Sequence, residues 1–415
     1  MTLTARVDEV MRPSASLFPY FVLDTSVLDG LDTLAPDTVT TDISSDVRRV
    51  GTQRGKQRDI DDYSTGHAEV ELNNQARKYD PNNTSSPYYG NIAPMRQVYV
   101  TAVLNGVDYP LFRGYIERWT VDYSEQKLPL AGIEAADAFL LLARAEALQV
   151  AAAYSGDLTS ARLSRLLNLT EVNFPTDIRS IATGNTTCGT TTFGENALTY
   201  AQTIARTEGG DLYVSKTGVL TFEASSTAPG SSAATFSDDG AAGSIRYQFI
   251  DQDTGSDLLY NRVIISGTSG TQQVVSDSVS IADNQITSTL DRTGLLASSD
   301  SVMADLASLL LARYSTAETR LRQVRVDVNA LSDARKADLF NLELTDRVTV
   351  TTTPTGSGSP STISQQAVVV GIDHAIDMGA RNWSCTVTFQ SGTRALGMVL
   401  DDAVLGKLDV AFLGH

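Results

Sequence analysis

QVYVTAVLNGVDYPLFRGYIERWTVDY, residues 97–123, decides how this chain is read. Two β-rich runs, 97–104 and 107–112, flank Asn105-Gly106. Both residues of that pair accept the positive φ of a type I′ turn, so the stretch predicts a tight antiparallel hairpin. A further strand is expected over 114–123. Upstream, HAEVELN (67–73) alternates apolar and polar side chains, the pattern of a strand with one buried face. Between them KYDPNNTSSPYYGNIAPMR (78–96) holds three prolines and a cluster of turn formers, which marks a long loop. From about Asp42 to Tyr123 the chain therefore reads as strands and turns.

After Gly132 the period changes. Ala138, Leu141 and Leu142 are spaced for one helical face, and Leu163, Leu166 and Leu167 repeat the spacing after a cap at Thr159 or Ser160. A third helix, Glu195 to about Glu208, stops at Gly209-Gly210, where glycine accepts a left-handed cap. DLYV (211–214) and VLTFEA (219–224) then form a hairpin. Between Ser225 and Ser244 the composition collapses to mostly small and turn-forming residues, which reads as a linker or a surface excursion. Strands follow at 261–267, 322–329, 346–352, 366–373 and 383–390. One helix interrupts them, about Ser301 to Tyr314, with Val302, Leu306, Leu309 and Leu310 on one face, and the tract 354–361 reads as a hairpin loop. The expected class is α+β and β-rich, divided as 1–140, 141–240 and 241–415. LFRGYIERWTVDY (111–123) and VVVGIDHAID (368–377) share a β run, a glycine, an isoleucine and an acidic residue, which suggests a duplicated β unit.

The 415 residues carry 32 basic and 49 acidic side chains, a formal net charge of −17. Such a charge argues against general nucleic-acid binding, because acidic surface repels phosphate. A hydrophobic fraction of 42% excludes wholesale disorder. No uncharged apolar run approaches the ~20 residues of a membrane span. The opening MTLTARVDEVMRPS has no apolar core of a secretory signal, so folding in a cytoplasm is expected. Cys188 and Cys385 are far apart and lack partners at metal spacing, which argues against a disulfide framework or a zinc site.

Catalytic signatures are sparse. Of the three histidines, His67 and His374 sit in strands and His415 is the last residue; each reads as structural or solvated. Cys188, in NTTCGTTTFG, could serve a distant histidine as a thiol nucleophile, but its threonine-rich setting favours a small packed residue. GGDLYVSKTG (209–218) lacks the glycine a phosphate loop needs before Lys216 and is itself a hairpin. Asp251, Asp253 and Asp257 imitate the start of a calcium loop, yet Ser256 occupies its glycine position and Arg262 its glutamate position, which leaves an acidic turn. The basic cluster Arg48, Arg49, Arg54, Lys56 and Arg58 is followed at once by Asp59, Asp61 and Asp62, so it reads as a mixed-charge surface. No catalytic, cofactor-binding or metal residue is expected, and the chain is not read as an enzyme.

In order along the chain stand Tyr63 and Gly66 before a strand, Leu72-Asn73-Asn74, Tyr79-Asp80-Pro81-Asn82, Ser85-Ser86-Pro87-Tyr88-Tyr89, Ile92-Ala93-Pro94, and a strand pair ending in Phe112-Arg113-Gly114. Together they resemble the amino-terminal part of minor tail proteins of long-tailed phages that infect actinobacteria, which are similar to the baseplate-hub family of tailed phages. The resemblance continues through ALTYAQTIARTEGGDLYVSKTGVLTFEA (197–224), Leu259-Tyr260-Asn261-Arg262-Val263, Leu342, Leu344, Asp346 and Val348, and the closing MVLDDAVLGKLDVAFLGH (398–415). Thr345 departs from it, since the pattern has glycine before the aspartate.

The resemblance implies a homotrimer with two hub-type β-barrels per chain around an intervening α+β part, forming a pseudo-sixfold ring at the tail tip of a virion. Such a ring caps the tail tube beside a distal tail protein, holds the tape-measure protein, carries other tip or fibre proteins and lets DNA pass without being held. Rival readings are a tail-associated cell-wall hydrolase and a host-surface carbohydrate-binding tail protein; the latter needs clustered exposed aromatics, whereas Trp119 and Trp383 both fall in strands.

Overall fold

Asn105 and Gly106 take φ values of 53° and 82°, and Leu104 pairs with Val107 across them, as a type I′ turn demands. The computed structural model describes residues 3–11, 39–123, 129–146, 155–191, 196–225, 232–267, 270–317, 319–356, 358 and 360–391. The closing 398–415 pattern, with His415, lies outside the described residues, as do parts of the amino-terminal arm and of the expected linker.

The first run of strands is β1 (Leu3–Met11), β2 (Val39–Asp42), β3 (Val47–Gly55), β4 (Ser64–Asn73), β5 (Gln97–Leu104), β6 (Val107–Asp122) and β7 (Leu130–Ala136). The separate strands expected at 107–112 and 114–123 are one sixteen-residue strand. Register shifts opposite Val100/Thr101 and Ile116/Arg118 bend it without breaking the ladder.

A mixed segment follows: α1 (Phe139–Arg144), α2 (Thr159–Leu167), β8 (Arg179–Ile181), α3 (Ala197–Glu208), β9 (Asp211–Val214) and β10 (Leu220–Glu223). Asn196 caps α3 by accepting from Leu198 N at 3.0 Å, and Gly209 ends it at φ 67°. The cap expected at Thr159 or Ser160 is not made. Leu158 precedes α2, and the Thr159 hydroxyl instead donates to the buried Glu208 at 2.7 Å.

The remaining elements are β11 (Ala234–Ser237), β12 (Ile245–Arg246), β13 (Phe249–Asp253), β14 (Arg262–Gly267), β15 (Gln273–Ser276), α4 (Ser278–Asn284), β16 (Thr289–Leu295), α5 (Asp300–Tyr314), β17 (Arg320–Asp327), α6 (Asp333–Asn341), β18 (Arg347–Thr352), β19 (Ile363–Asp377) and β20 (Asn382–Ser391). The stretch 225–244, expected as a linker or a surface excursion, carries a strand, because β11 finds a parallel partner in β18. Between β13 and β17, β14–β16 and α5 build a second small core on Val263, Ile265, Leu290, Met303 and Ala307. On α5, Met303, Ala307 and Tyr314 are buried, while Val302, Leu306, Leu309 and Leu310 of the expected face are half-buried, Leu306 and Leu310 packing against this small core.

Two hub-type barrels are expected; instead fourteen of the described strands form one sheet, beside the three-stranded sheets β8-β10-β9 and β15-β14-β16, with no closed barrel among the described residues. The physical reason lies in β19. The first half of one edge pairs with β18 and its second half with β3, so the two strand runs merge. Gly55 makes this contact possible. Its φ is 104°, and a β-carbon there would stand 2.1 Å from the Val370 carbonyl oxygen. The adjacent Lys56 N–H donates to that same oxygen at 2.8 Å. Gly114 and Gly371, the centres of the sequence echo, lie within the two longest strands, β6 and β19.

Candidate functional site

Strand alternation sends Val50, Val70, Ile133 and Ile376 into the core and their neighbours onto the opposite face. Cross-strand register then aligns that face into transverse rows. One row runs Ser384, Ala375, Gly51, Glu69, Glu134, Arg118 across β20, β19, β3, β4, β7 and β6. The next runs Asn382, Asp377, Arg49, Glu71, Gly132, Thr120. Five strand spacings of about 4.8 Å make each row about 24 Å long.

Gly51, Gly132 and Ala375 have almost no side chain, so the middle of this face is sunken. A groove of about 760 Å³ results, lined by carboxylates of Glu69, Glu71, Asp122, Glu134 and Asp377 and by one guanidinium, Arg49. Arg49 Nε stands 3.3 Å from Asp377, Arg48 3.8 Å from Glu71, and Arg118 grips Glu134 through two nitrogens at 2.5 and 3.0 Å. Glu69 is exposed between these pairs and makes no ion pair among the described residues. The face is continuous across both strand runs and carries more negative than positive charge.

Beneath the sheet a second polar cluster ties the three parts of the chain together. Arg54 of β3, 4% exposed, donates to Glu343 Oε1 at 2.7 Å. Glu343 also accepts from the backbone N–H groups of Lys216 (2.9 Å) and Leu344 (2.8 Å), and these donors hold its carboxyl below the ordinary range although burial alone would raise it. Lys216 Nζ donates to the carbonyls of Phe340, Asn341 and Leu342, where α6 ends and leaves acceptors unpaired. Thr345 adopts φ 72°, the left-handed conformation that explains why the resembling pattern has glycine there. Its hydroxyl donates to Glu223, which also accepts from Tyr213. Near Arg54, burial pushes Asp137 up to about 7 and Asp373 up to about 6.

The residues singled out from sequence are now placed. The basic cluster does not gather into a phosphate site: Arg48, Arg49 and Arg54 are paired as above, Lys56 donates to Asp59 O at 3.0 Å, and Arg58 stands 3.3 Å from Asp61. His67 is exposed on the sheet face, two residues from Glu69 along β4. His374 is buried, accepts from Trp383 Nε1 at 3.2 Å, and is driven down to about 3 by burial. Cys188 and Cys385 are buried free thiols; burial raises the Cys188 thiol to about 11, which leaves no thiolate for attack at neutral pH. Asp251 sits in β13 opposite Gln323, and Asp257 bonds Arg322 at 3.1 Å. Among the described residues no three acidic, histidine or cysteine side chains are grouped to hold a metal. GGDLYVSKTG forms the β9–β10 hairpin. The Glu343 cluster gave no signal in sequence, since its members come from three distant segments; the alternation His67, Glu69, Glu71 was a legible trace of the acidic face.

No family model and no curated protein matches this chain. Solved structures do. A tail protein from Neisseria meningitidis superposes at a TM-score of 0.57 with 11% identity, over 94% of this chain and 97% of that one. The 43 kDa tail protein of prophage MuSo2 from Shewanella oneidensis gives 0.57 and 11%, over 94% and 98%. The chain thus shares the fold of phage tail proteins along nearly its whole length. Nothing in these matches points to an actinobacterial host.

Proposed function

We propose that this chain is a structural subunit of a virion's tail tip, a hub that assembles as a homotrimeric ring beneath the tail tube. Its parts 1–140, 141–240 and 241–415 act as the repeating units and the block between them. In this reading the ring docks the tape-measure protein, a tube or distal tail protein, and further tip or fibre proteins, and DNA leaves through its bore. The fold likeness to tail proteins supports the class. The carboxylate-lined face across β20 to β6 supports the channel role most directly. Duplex DNA carries about one negative charge per 1.7 Å, so a basic wall would hold it through many phosphate contacts, whereas this face repels it.

The arrangement favours assembly over bond chemistry: the buried thiols and the neutral His374 offer no nucleophile with its base. Native mass spectrometry of the purified chain, followed by reconstruction of the assembled tip, tests the proposal. Three copies with Glu69 and Glu134 facing the bore are expected. Six copies, a lone appendage, or carboxylates on the outer surface would overturn it. Muramidase or peptidase activity in the purified chain would replace it with the hydrolase reading.

A further inference from the structure

Eight strands of the large sheet follow one another in strictly antiparallel order: β13, β17, β20, β19, β3, β4, β7 and β6. They divide into two fours, β13-β17-β20-β19 and β3-β4-β7-β6, and each four ends on a long strand that changes partners halfway. The first part of β19, Ile363–Val368, holds β18, and the first part of β6, Val107–Tyr115, holds β5. On that same side β19 then takes β3, from Gly371 to Asp377. The matching side of β6 takes nothing from Glu117 to Val121 among the described residues, once Ile116 has bonded Met95 and Arg96. At the far end of the series β13 holds β17 and no second strand among the described residues, and Phe249 leaves 48% of its surface in water. The joint made once inside the chain, β19 to β3, is thus left open at both ends of the series.

A bare edge presents a row of N–H and C=O groups that pairs with any strand offered in the right sense. Eight alternating strands leave β13 and β6 running in opposite directions, so a second copy can offer its β13 to β6 as β3 meets β19. The internal joint also sets the register. The last pairs of the long strands are Asp377 with Asn382 and Asp122 with Leu130; counting back from them matches Ala375 to Thr120 and Asp373 to Arg118. On the facing strands pairing shifts after Gln53 in β3 and after Asp251 in β13, which matches those two residues. Inside the chain Gln53 faces Asp373 and Gly51 faces Ala375. Carried over, Asp251 faces Arg118 and Phe249 faces Thr120. Opposite charges directly across a strand pair are favourable, and Arg118, 65% exposed, has its carboxylate Glu134 on the β7 side. Resting on the trimeric reading above, we propose that copies join head to tail through these edges, β13 of one against Glu117–Asp122 of the next, with Asp251 opposite Arg118. The contact joins two different surfaces, so it is satisfied throughout only when the copies close into a ring.

Charge exchange and cross-linking on the full chain test this. Arg118→Asp and Asp251→Arg are each expected to raise the dissociation constant of the trimer, measured by sedimentation, at least about tenfold, and the two together to return it to within about threefold of the parent. Urea unfolding of each variant shows that it folds. In a second measurement Thr120→Cys and Phe249→Cys are placed in one chain, where seven strand spacings of about 4.8 Å hold them about 34 Å apart. Oxidation is expected to link copies to one another, up to three and no further. Trimers that persist with both single changes silent and no cross-link would overturn this pairing and leave the trimeric reading standing. A double variant no better than the worse single one would overturn the register, and a ladder beyond three copies the closure. A chain that stays monomeric at every concentration would end this proposal and the trimeric reading together.

Discussion

Replacing Glu343 by glutamine tests whether the buried ion pair holds the three parts of the chain together. The substitution keeps shape and removes charge. Three donors converge on this carboxylate: Arg54 Nη1, Lys216 N and Leu344 N. A glutamine amide nitrogen would face donors, and the Arg54 charge, 4% exposed, would lose its closest counter-charge. Breaking a buried pair by removing one partner costs about 3–5 kcal/mol, and a stranded donor lies within that figure. Glu343 keeps 22% of its side chain exposed, so the expected loss in unfolding free energy lies below that range, about 2–3 kcal/mol at neutral pH, measured by urea titration. Trp383 fluorescence reports on the same region, since its ring lies 5.2 Å from Phe340 near the end of α6. Because the folded Glu343 carboxyl is depressed, its stabilisation is present above the unfolded value of 4.5 and is lost as pH falls through the folded one. The gap between variant and parent should narrow in acid. Arg54→Met combined with Glu343→Gln should cost less than the sum of the two single changes by at least about 1 kcal/mol. A loss below about 1 kcal/mol, or strict additivity, would refute the reasoning.

Asp137 titrates oppositely: its folded carboxyl is raised to about 7, so it stabilises below the unfolded value and that stabilisation is lost as pH rises through about 7. Unfolding free energy should fall by about 2 kcal/mol from Asp137 alone between pH 5.5 and 8, with Asp373 adding in the same direction; a flat profile in urea titrations over that window would contradict its burial. Thr345→Gly relieves a left-handed φ worth about 1–2 kcal/mol and loses one hydroxyl bond worth about 1, so stability should change by less than about 1 kcal/mol. Thr345→Val keeps the strain and loses the bond, and chemical denaturation should show it less stable than the glycine variant. Neither Cys188 nor Cys385 should react with a thiol reagent at pH 8 until urea unfolds the chain; rapid native labelling would contradict their burial.

Local structure was legible because local chemistry decides it. Asn105-Gly106 could only turn one way, Gly209 ended α3, and the alternation from His67 to Asn73 placed its carboxylates on one face before any partner was known. What no run of residues discloses is which strands meet. The merging of the strand runs through β19 and β3 depends on Gly55 letting two backbones touch across more than three hundred residues of chain. The Arg54, Lys216 and Glu343 cluster likewise brings together charges that each look like solvated surface in their own segment. Hydrogen-bond periodicity and turn stereochemistry act over a few residues and can be read in order. The merging of strand runs into one sheet, ion pairing and the sunken acidic face arise from register between distant strands, which only the packed chain determines.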